Sequence, residues 1–268
     1  MHPLLNIAVS AARRAGSIIA RSVDHVDALT IKQKSKNDFV SEVDRAAERE
    51  IVNIVRKAHP DHAILAEESG RQPGKEDFLW IIDPLDGTTN FLHGFPQFAV
   101  SIAVEHKGRI EHGVVYDPIS QDLFTASRGG GAQLNGRRIR VTRRNSLDGA
   151  LLGTGFPFRQ REKLEPYLAT FKAMFTETEV ADVRRAGAAS LDLAYVAAGR
   201  LDGFWEFGLN AWDMAAGALL IREAGGIVTD FAGGHNYLDG GNIVAGSPKV
   251  LDALLKILTA HLPEELRH

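Results

Sequence analysis

The stretch Asp83-Pro84-Leu85-Asp86-Gly87-Thr88 brings two carboxylates, a proline, a glycine and a hydroxyl within reach of one another. Such a set can hold a hard cation through oxygen and turn backbone N–H groups toward an anion. The apolar run Phe78–Ile82 delivers Asp83 at a strand end. Pro84 has no N–H and ends the hydrogen-bonded ladder there, so Asp86 falls in the turn. Gly87-Thr88-Thr89 then opens a helix whose first N–H groups lack intrahelical acceptors, and Gly87 lets a phosphate approach the backbone. Taken alone, the stretch reads equally well as an Asx turn followed by a helix cap.

Other acids weigh on that choice. Glu67-Glu68 follows the apolar run Ala63–Ala66, where two adjacent acids are costly unless they face water or a cation. Asp213 follows Trp212 at the start of the small-residue helix MAAGALLIREAGG, where an N-cap role is also open to it. A few carboxylates completed by water and a substrate phosphate suit Mg²⁺. The chain has no cysteine, so it offers no thiolate ligand or thiol nucleophile. Its ten histidines are scattered; His59 and His62 flank Pro60-Asp61 and read as loop residues.

The elements around these acids follow from apolar periodicity. Residues 4–23 repeat apolar side chains at three- and four-residue spacing and predict an amphipathic first helix, although the arginines and missing acids also resemble a transit peptide. Ser41, with Asp44 three residues on, opens a second helix as a capping-box variant. Ala63–Ala66 and Phe78–Ile82 are short enough to be buried strands. From Phe98 to about Val141, turn signals at 107–109, 117–122, 128–131 and 135–137 separate β-rich runs and predict an antiparallel meander. Beyond about Asn145 the pattern alternates: strands near 150–153, 203–207, 226–229 and 242–245, helices near 162–174, 188–198 and 212–224, and a last helix after Pro248. Helices covering sheets imply a layered fold. We expect one domain over 1–268, with halves of about 1–145 and 146–268.

With 268 residues and 44% hydrophobic side chains the chain can bury a large core. Its net charge of −3 gives no global attraction to nucleic acid or anionic membrane, and no apolar run reaches the ~18 residues of a membrane span. The absence of cysteine fits a reducing compartment, and the cytoplasm is the expectation.

Glu67-Glu68, W-I-I-D-P-L-D-G-T-T-N at 80–90 and W-D-M-A-A-G at 212–217 with Gly225-Gly226 resemble the inositol monophosphatase family in type and spacing. The likeness spans nearly the whole chain. It is similar to the bacterial SuhB-type branch through R-R-A-G-A-A-S-L-D-L-A-Y-V-A-A-G-R at 184–200, D-F-A-G-G-H-N-Y at 230–237 and G-N-I-V-A-G at 241–246. The resemblance implies an alternating α-β-α-β-α sandwich of the sugar phosphatase type, α+β and α/β in character. It implies two or three Mg²⁺ ions per site: Glu67, Asp83 and the Leu85 carbonyl for one, Asp83, Asp86 and Asp213 for a second. Thr88 would position the attacking water, with Glu67 taking its proton and Asp44 supporting Thr88. Asp86, Gly87, Thr88, Gly187, Ala189, Glu206 and Asp213 would contact the substrate, Glu206 accepting polyol hydroxyl hydrogen bonds. The implied activity is hydrolysis of inositol-1-phosphate and related phosphate monoesters, inhibited by Li⁺, in a homodimer. The family's lysine matches either Lys34 or Lys36, and the short connection Gly70–Asp77 departs from animal members, which bears on a third metal.

Two other functions stay open. The same metal core would serve a bisphosphate-specific phosphatase, acting on fructose 1,6-bisphosphate or 3′-phosphoadenosine phosphate. A non-enzymatic role with RNA polymerase in transcription antitermination also follows from the SuhB-type resemblance. Arg137, Arg138, Arg140, Arg143 and Arg144 then make a candidate docking surface, although a solvated hairpin edge is the commoner explanation for such a run; Arg184-Arg185 is a second candidate, for which a buried or dimer-interface role is equally open.

Overall fold

The computed structural model describes residues 2–23, 31–35, 38–75 and 77–267, with 31–35 and 38–41 as backbone only. In chain order the elements are α1 (Pro3–Ser22), β1 (Ile31–Ser35), β2 (Asp38–Ser41), α2 (Glu42–Ala58), β3 (Ala63–Ala66), β4 (Gly70–Gln72), β5 (Phe78–Asp86) and α3 (Thr88–Leu92). The meander follows as β6 (Ala99–His106), β7 (Arg109–Tyr116), β8 (Leu123–Ser127), β9 (Gly131–Leu134) and β10 (Arg137–Arg138). The rest comprises β11 (Leu151–Thr154), α4 (Leu164–Thr176), β12 (Asp182–Arg184), α5 (Ala189–Ala197), β13 (Gly203–Glu206), α6 (Ala211–Glu223), β14 (Ile227–Thr229), α7 (Tyr237–Gly240), β15 (Ile243–Gly246) and α8 (Pro248–His261).

An eight-stranded sheet runs β10-β9-β8-β7-β6-β5-β3-β4, and a five-stranded sheet runs β12-β11-β13-β15-β14. Helices α1 and α2 cover one face of the large sheet, α5 and α6 lie between the sheets, and α4 and α8 cover the far face of the small one. Three apolar clusters fill the spaces between these layers. Strand periodicity sorts the side chains: along β6, Val100, Ile102 and Val104 face α1 and α2, whereas Ala99 and Ala103 face the central helices. The result is the expected α-β-α-β-α sandwich.

The central layer explains the small residues of α6. A Cβ at Gly113 of β7 would lie 3.0 Å from the Ala216 carbonyl, and one at Gly217 would lie 2.5 Å from Leu193 Cβ. Small side chains thus let α6 press against both the sheet and α5. It is apolar on every side because every side is covered.

Two expectations need correction. Pro84 does not end its strand: β5 runs to Asp86, with register Asp83↔Ser101 and Asp86↔Ala99 and an irregularity between them. Pro84 and Leu85 oppose the single residue Val100 in a β-bulge, which tolerates the missing N–H. Asp213 is not the N-cap of α6. Asn210 is, and its N–H donates to Asp213 Oδ2 at 2.7 Å, as in a capping box. The Ser41 cap and the Lys34 side chain, like Lys36, lie outside what is described. Among the described residues no helix is long and apolar enough to cross a membrane.

Candidate active site

The bulge in β5 decides where the acids point. Along a regular strand, residues three apart face opposite sides of the sheet. The extra residue restores parity. Asp83 and Asp86 sit opposite Ser101 and Ala99, on the side of the central helices, while the Leu85 side chain turns into the α1–α2 layer. Ser101 Oγ donates to the Trp212 carbonyl at 3.0 Å and so ties the start of α6 to this face, which brings Asp213 in.

One oxygen each from Asp83, Asp86 and Asp213 lies within 4.8 Å of the others. The three side chains are 2%, 9% and 6% exposed. Asp83 Oδ1 accepts the Leu85 N–H at 2.9 Å, and Asp86 Oδ2 accepts both the N–H (2.7 Å) and the hydroxyl (2.5 Å) of Ser190. Burial is the main cause that raises all three carboxyls: Asp83 well above its usual range, Asp86 to about 6 and Asp213 to about 7. Neighbouring carboxylates add to each shift, Glu67 among them. Buried like charges of this kind are stable only if protonated or neutralised by a cation. All the ligand atoms are oxygen, which fits Mg²⁺ and argues against softer metals.

The acids open into a pocket of about 240 Å³ lined also by Glu67, Leu85, Gly87, Thr88, Gly187, Ala189 and Glu206. Glu67 enters from the end of β3, where its N–H donates to the Ile82 carbonyl at 3.1 Å. It lines the pocket beside the three aspartates, outside their tight cluster. Thr88 Oγ1 is 2.9 Å from Oδ1 of the buried Asp44 and 3.1 Å from the Leu85 carbonyl oxygen. Gly87 has φ +92°, and a Cβ there would lie 2.8 Å from the Gln97 carbonyl. Helix α3 has only five residues, so the turn's own N–H groups matter more than a helix dipole. Glu206, at the end of β13, is pushed well up by burial and then by Asp192. Every site residue expected from the sequence except Asp44 therefore lines one pocket, and Asp44 reaches it through Thr88.

Several contributors escaped the sequence reading. Asn90 Nδ2 donates to the carbonyls of Gln97 (2.7 Å) and Ala186 (2.9 Å), which joins the Gly87 turn to the strand-to-helix connection before α5. Gly155 leaves room for Glu206: a Cβ there would lie 2.0 Å from Oε1. Arg159 and Arg185 stand at the rim, with Arg185 5.5 Å above the Phe156 ring. Asn90 and Ser190 belong to the resembling motifs and could have been singled out as polar residues within them. Gly155 and Arg159 carry no sequence signal. Of the arginines considered as docking residues, Arg185 belongs to this rim, and Arg144 pairs with Asp202 at 3.2 Å and donates to the Asp148 carbonyl at 2.6 Å. Arg137, Arg138, Arg140 and Arg143 are exposed. His59 and His62 lie in the loop between α2 and β3, as expected, and His62 is buried there and accepts the Trp80 indole N–H at 3.0 Å.

A five-layer α-β-α-β-α sandwich with a buried acid cluster where its layers meet defines the class: a layered α/β protein with its candidate site between the sheets. The family model described as inositol monophosphatase matches residues 1–263, and the chain belongs to that family. It is 60% identical, over the full length of both chains, to Nus factor SuhB of Pseudomonas aeruginosa. Among solved structures, the extragenic suppressor protein suhB of Bartonella henselae matches with TM-score 0.94 and 46% identity, covering 97% of this chain and 100% of that one. The inositol monophosphatase of Anabaena matches with TM-score 0.85 and 39% identity, covering 98% and 97%.

Proposed function

We propose that the chain hydrolyses small polyol phosphate monoesters, myo-inositol-1-phosphate among them, to the alcohol and phosphate, with Mg²⁺ as cofactor and water as nucleophile. The observation that carries this reading is the convergence of Asp83, Asp86 and Asp213 within 4.8 Å of one another beside the Gly87-Thr88 turn. These three aspartates, with Glu67 and the Leu85 carbonyl, would hold two or three ions. Bound there, Mg²⁺ supplies charge that offsets the phosphoryl and leaving-group oxygens and makes water a stronger nucleophile near neutral pH.

The chain's own groups account for the remaining tasks. The Thr88 hydroxyl faces two acceptors, Asp44 Oδ1 and the Leu85 carbonyl, which hold its proton and leave an oxygen lone pair for a water O–H. Glu67 lines the same pocket as a base for that water's proton. The Gly87 and Thr88 amides receive phosphate oxygens, and Gly87 leaves no side chain in their way. Glu206 meets the polyol hydroxyls, with Gly187 and Ala189 leaving the backbone bare for close approach.

Phosphate release from inositol-1-phosphate tests this, with Mg²⁺, with EDTA and with Li⁺ added. Release that needs Mg²⁺ and falls with Li⁺ is expected; folded protein with no release above the EDTA control would overturn the reading. Fructose 1,6-bisphosphate and 3′-phosphoadenosine phosphate in the same panel distinguish a bisphosphatase. A homodimer belongs to the proposal, since α4 exposes Leu164, Leu168 and Phe175, and light scattering reads it directly.

A second reading rests on the Nus factor name of the Pseudomonas relative and on the four exposed arginines: docking on an RNA polymerase antitermination complex. Arg140→Glu/Arg143→Glu protein should then recover less polymerase from lysate than wild type. Equal recovery removes the arginine surface.

A further inference from the structure

Helix α6 serves two places. Its first turn carries Asp213 into the acid cluster, whereas Ala215, Ala218, Leu219 and Arg222 line a separate open pocket of about 510 Å³. At 1.5 Å of rise per residue, Arg222 lies about 13 Å beyond Asp213 along the helix. The volume falls within the usual range for small-molecule sites.

The lining of this pocket is one-sided in charge. It includes Arg109, Arg128 and Arg222 and no acidic residue. Glu111 meets Arg128 at 3.3 Å, and Arg128 also donates to the Ile110 carbonyl, which fixes its guanidinium. Among the described residues no carboxylate pairs with Arg109 or Arg222. The pocket therefore keeps a positive excess.

Tyr237 stands beside these arginines. It is 5% exposed and lines the pocket, and its hydroxyl makes no hydrogen bond among the described residues. The ring is enclosed while the hydroxyl itself is not sealed off from solvent, so it is available to a ligand that enters the pocket. Arg222 lies 5.5 Å from the centroid of its ring, and both Arg222 and Arg128 act electrostatically on its phenol. Two guanidiniums and a phenol donor thus face one region. The rest of the floor is apolar, from Ile110, Ala218, Leu219 and Leu238, and the alanines give it depth.

We propose that this pocket is a second ligand site, separate from the acid cluster, that takes a small phosphate monoester dianion bearing a compact apolar or aromatic body. The arginines and the Tyr237 hydroxyl hold the phosphate oxygens, as guanidinium forks do in phosphate sites. The apolar floor covers the body. No divalent ion takes part, which sets this site apart from the active site.

Phenylphosphonate, which has no phosphate ester bond to hydrolyse, is the probe, titrated calorimetrically into full-length protein in EDTA. Saturable binding is expected, unchanged in Asp83→Asn and at least ten-fold weaker in Arg109→Ala/Arg222→Ala, whose side chains are exposed. Inorganic phosphate should bind at least ten-fold more weakly, because it leaves the floor uncovered, and so should benzoate, with its single charge. The proposal is overturned by no binding at millimolar probe, by equal binding to the double-arginine variant, or by loss of binding in Asp83→Asn. Inorganic phosphate as tight as phenylphosphonate would overturn the apolar part, and benzoate as tight would overturn the dianion.

Discussion

Neutralising Asp213, one of the proposed metal ligands, should stabilise the metal-free protein. Asp213 is 6% exposed and its carboxyl is raised to about 7, chiefly by burial and then by Asp86, against an ordinary 3.8. A raised carboxyl means the folded state holds its proton more tightly than the unfolded chain. Stability is then full below the unfolded value and is lost as pH rises through the folded one, here between about 4 and 7. A shift of about three units corresponds to about 4 kcal/mol above pH 7. The shift is shared with Asp86, so about half, near 2 kcal/mol, is a fair share for one carboxylate. Asp213→Asn keeps an oxygen for the Asn210 N–H and deletes the charge. In EDTA at pH 8 the variant should melt above wild type by about 4–8 °C, at ~2–4 °C per kcal/mol for a chain of this size. The gap should shrink toward pH 4.5, and Mg²⁺ should raise the wild-type melting temperature while leaving the variant almost unmoved. A variant that melts below wild type in EDTA at pH 8 would refute the claim that buried charge repulsion dominates this cluster.

Three further outcomes follow from single contacts. Thr88→Val removes the hydroxyl held by Asp44 and should lower kcat by about 10²–10⁴-fold with Mg²⁺ affinity retained, as read by steady-state kinetics with metal titration. Gly155→Ala brings a Cβ to 2.0 Å from Glu206 Oε1 and must move that carboxylate, so KM for inositol-1-phosphate should rise by about ten-fold, roughly 1.4 kcal/mol. Inhibition by inorganic phosphate, which lacks the polyol hydroxyls proposed to meet Glu206, should stay unchanged. Gly87→Ala strains a residue at φ +92° against the Gln97 carbonyl and should cost about 1–3 kcal/mol in denaturant unfolding while weakening phosphate inhibition.

The sequence discloses most of the layering because both periodicities are strong. The three-to-four spacing in α1 and α2, and the turn residues between β6 and β10, each specify an element before any packing is known. Among the elements that went unseen, which include β1, β2 and the one-turn α7, β4 is Gly-Arg-Gln and β12 is Asp-Val-Arg; both are short and polar and pair with a neighbouring strand's edge. The candidate site divides in the same way. Carboxylates in the 83–88 stretch and at 67 and 213 are legible by type. Gly155, Arg159 and the Tyr237 pocket depend on contacts between distant layers, and no local pattern encodes those. Pro84 misled because a proline inside a strand normally ends it. The bulge is the tertiary answer to that local conflict.

The conflicts themselves mark the site. A proline in an interior strand, a left-handed glycine close to a carbonyl and three buried acids each oppose folding locally; the glycine and the acids line one pocket, and the proline sits between two of its residues in β5. Locally unfavourable choices persist where function requires them and the surrounding structure can bear them. Here the support is identifiable. The bulge that accommodates Pro84 also turns Asp83 and Asp86 to one face, and the close packing of α6 allowed by Gly113 and Gly217 brings Asp213 to meet them. Moving any one of the three layers would separate the acids, so the small residues of α6 act on the chemistry through distance alone.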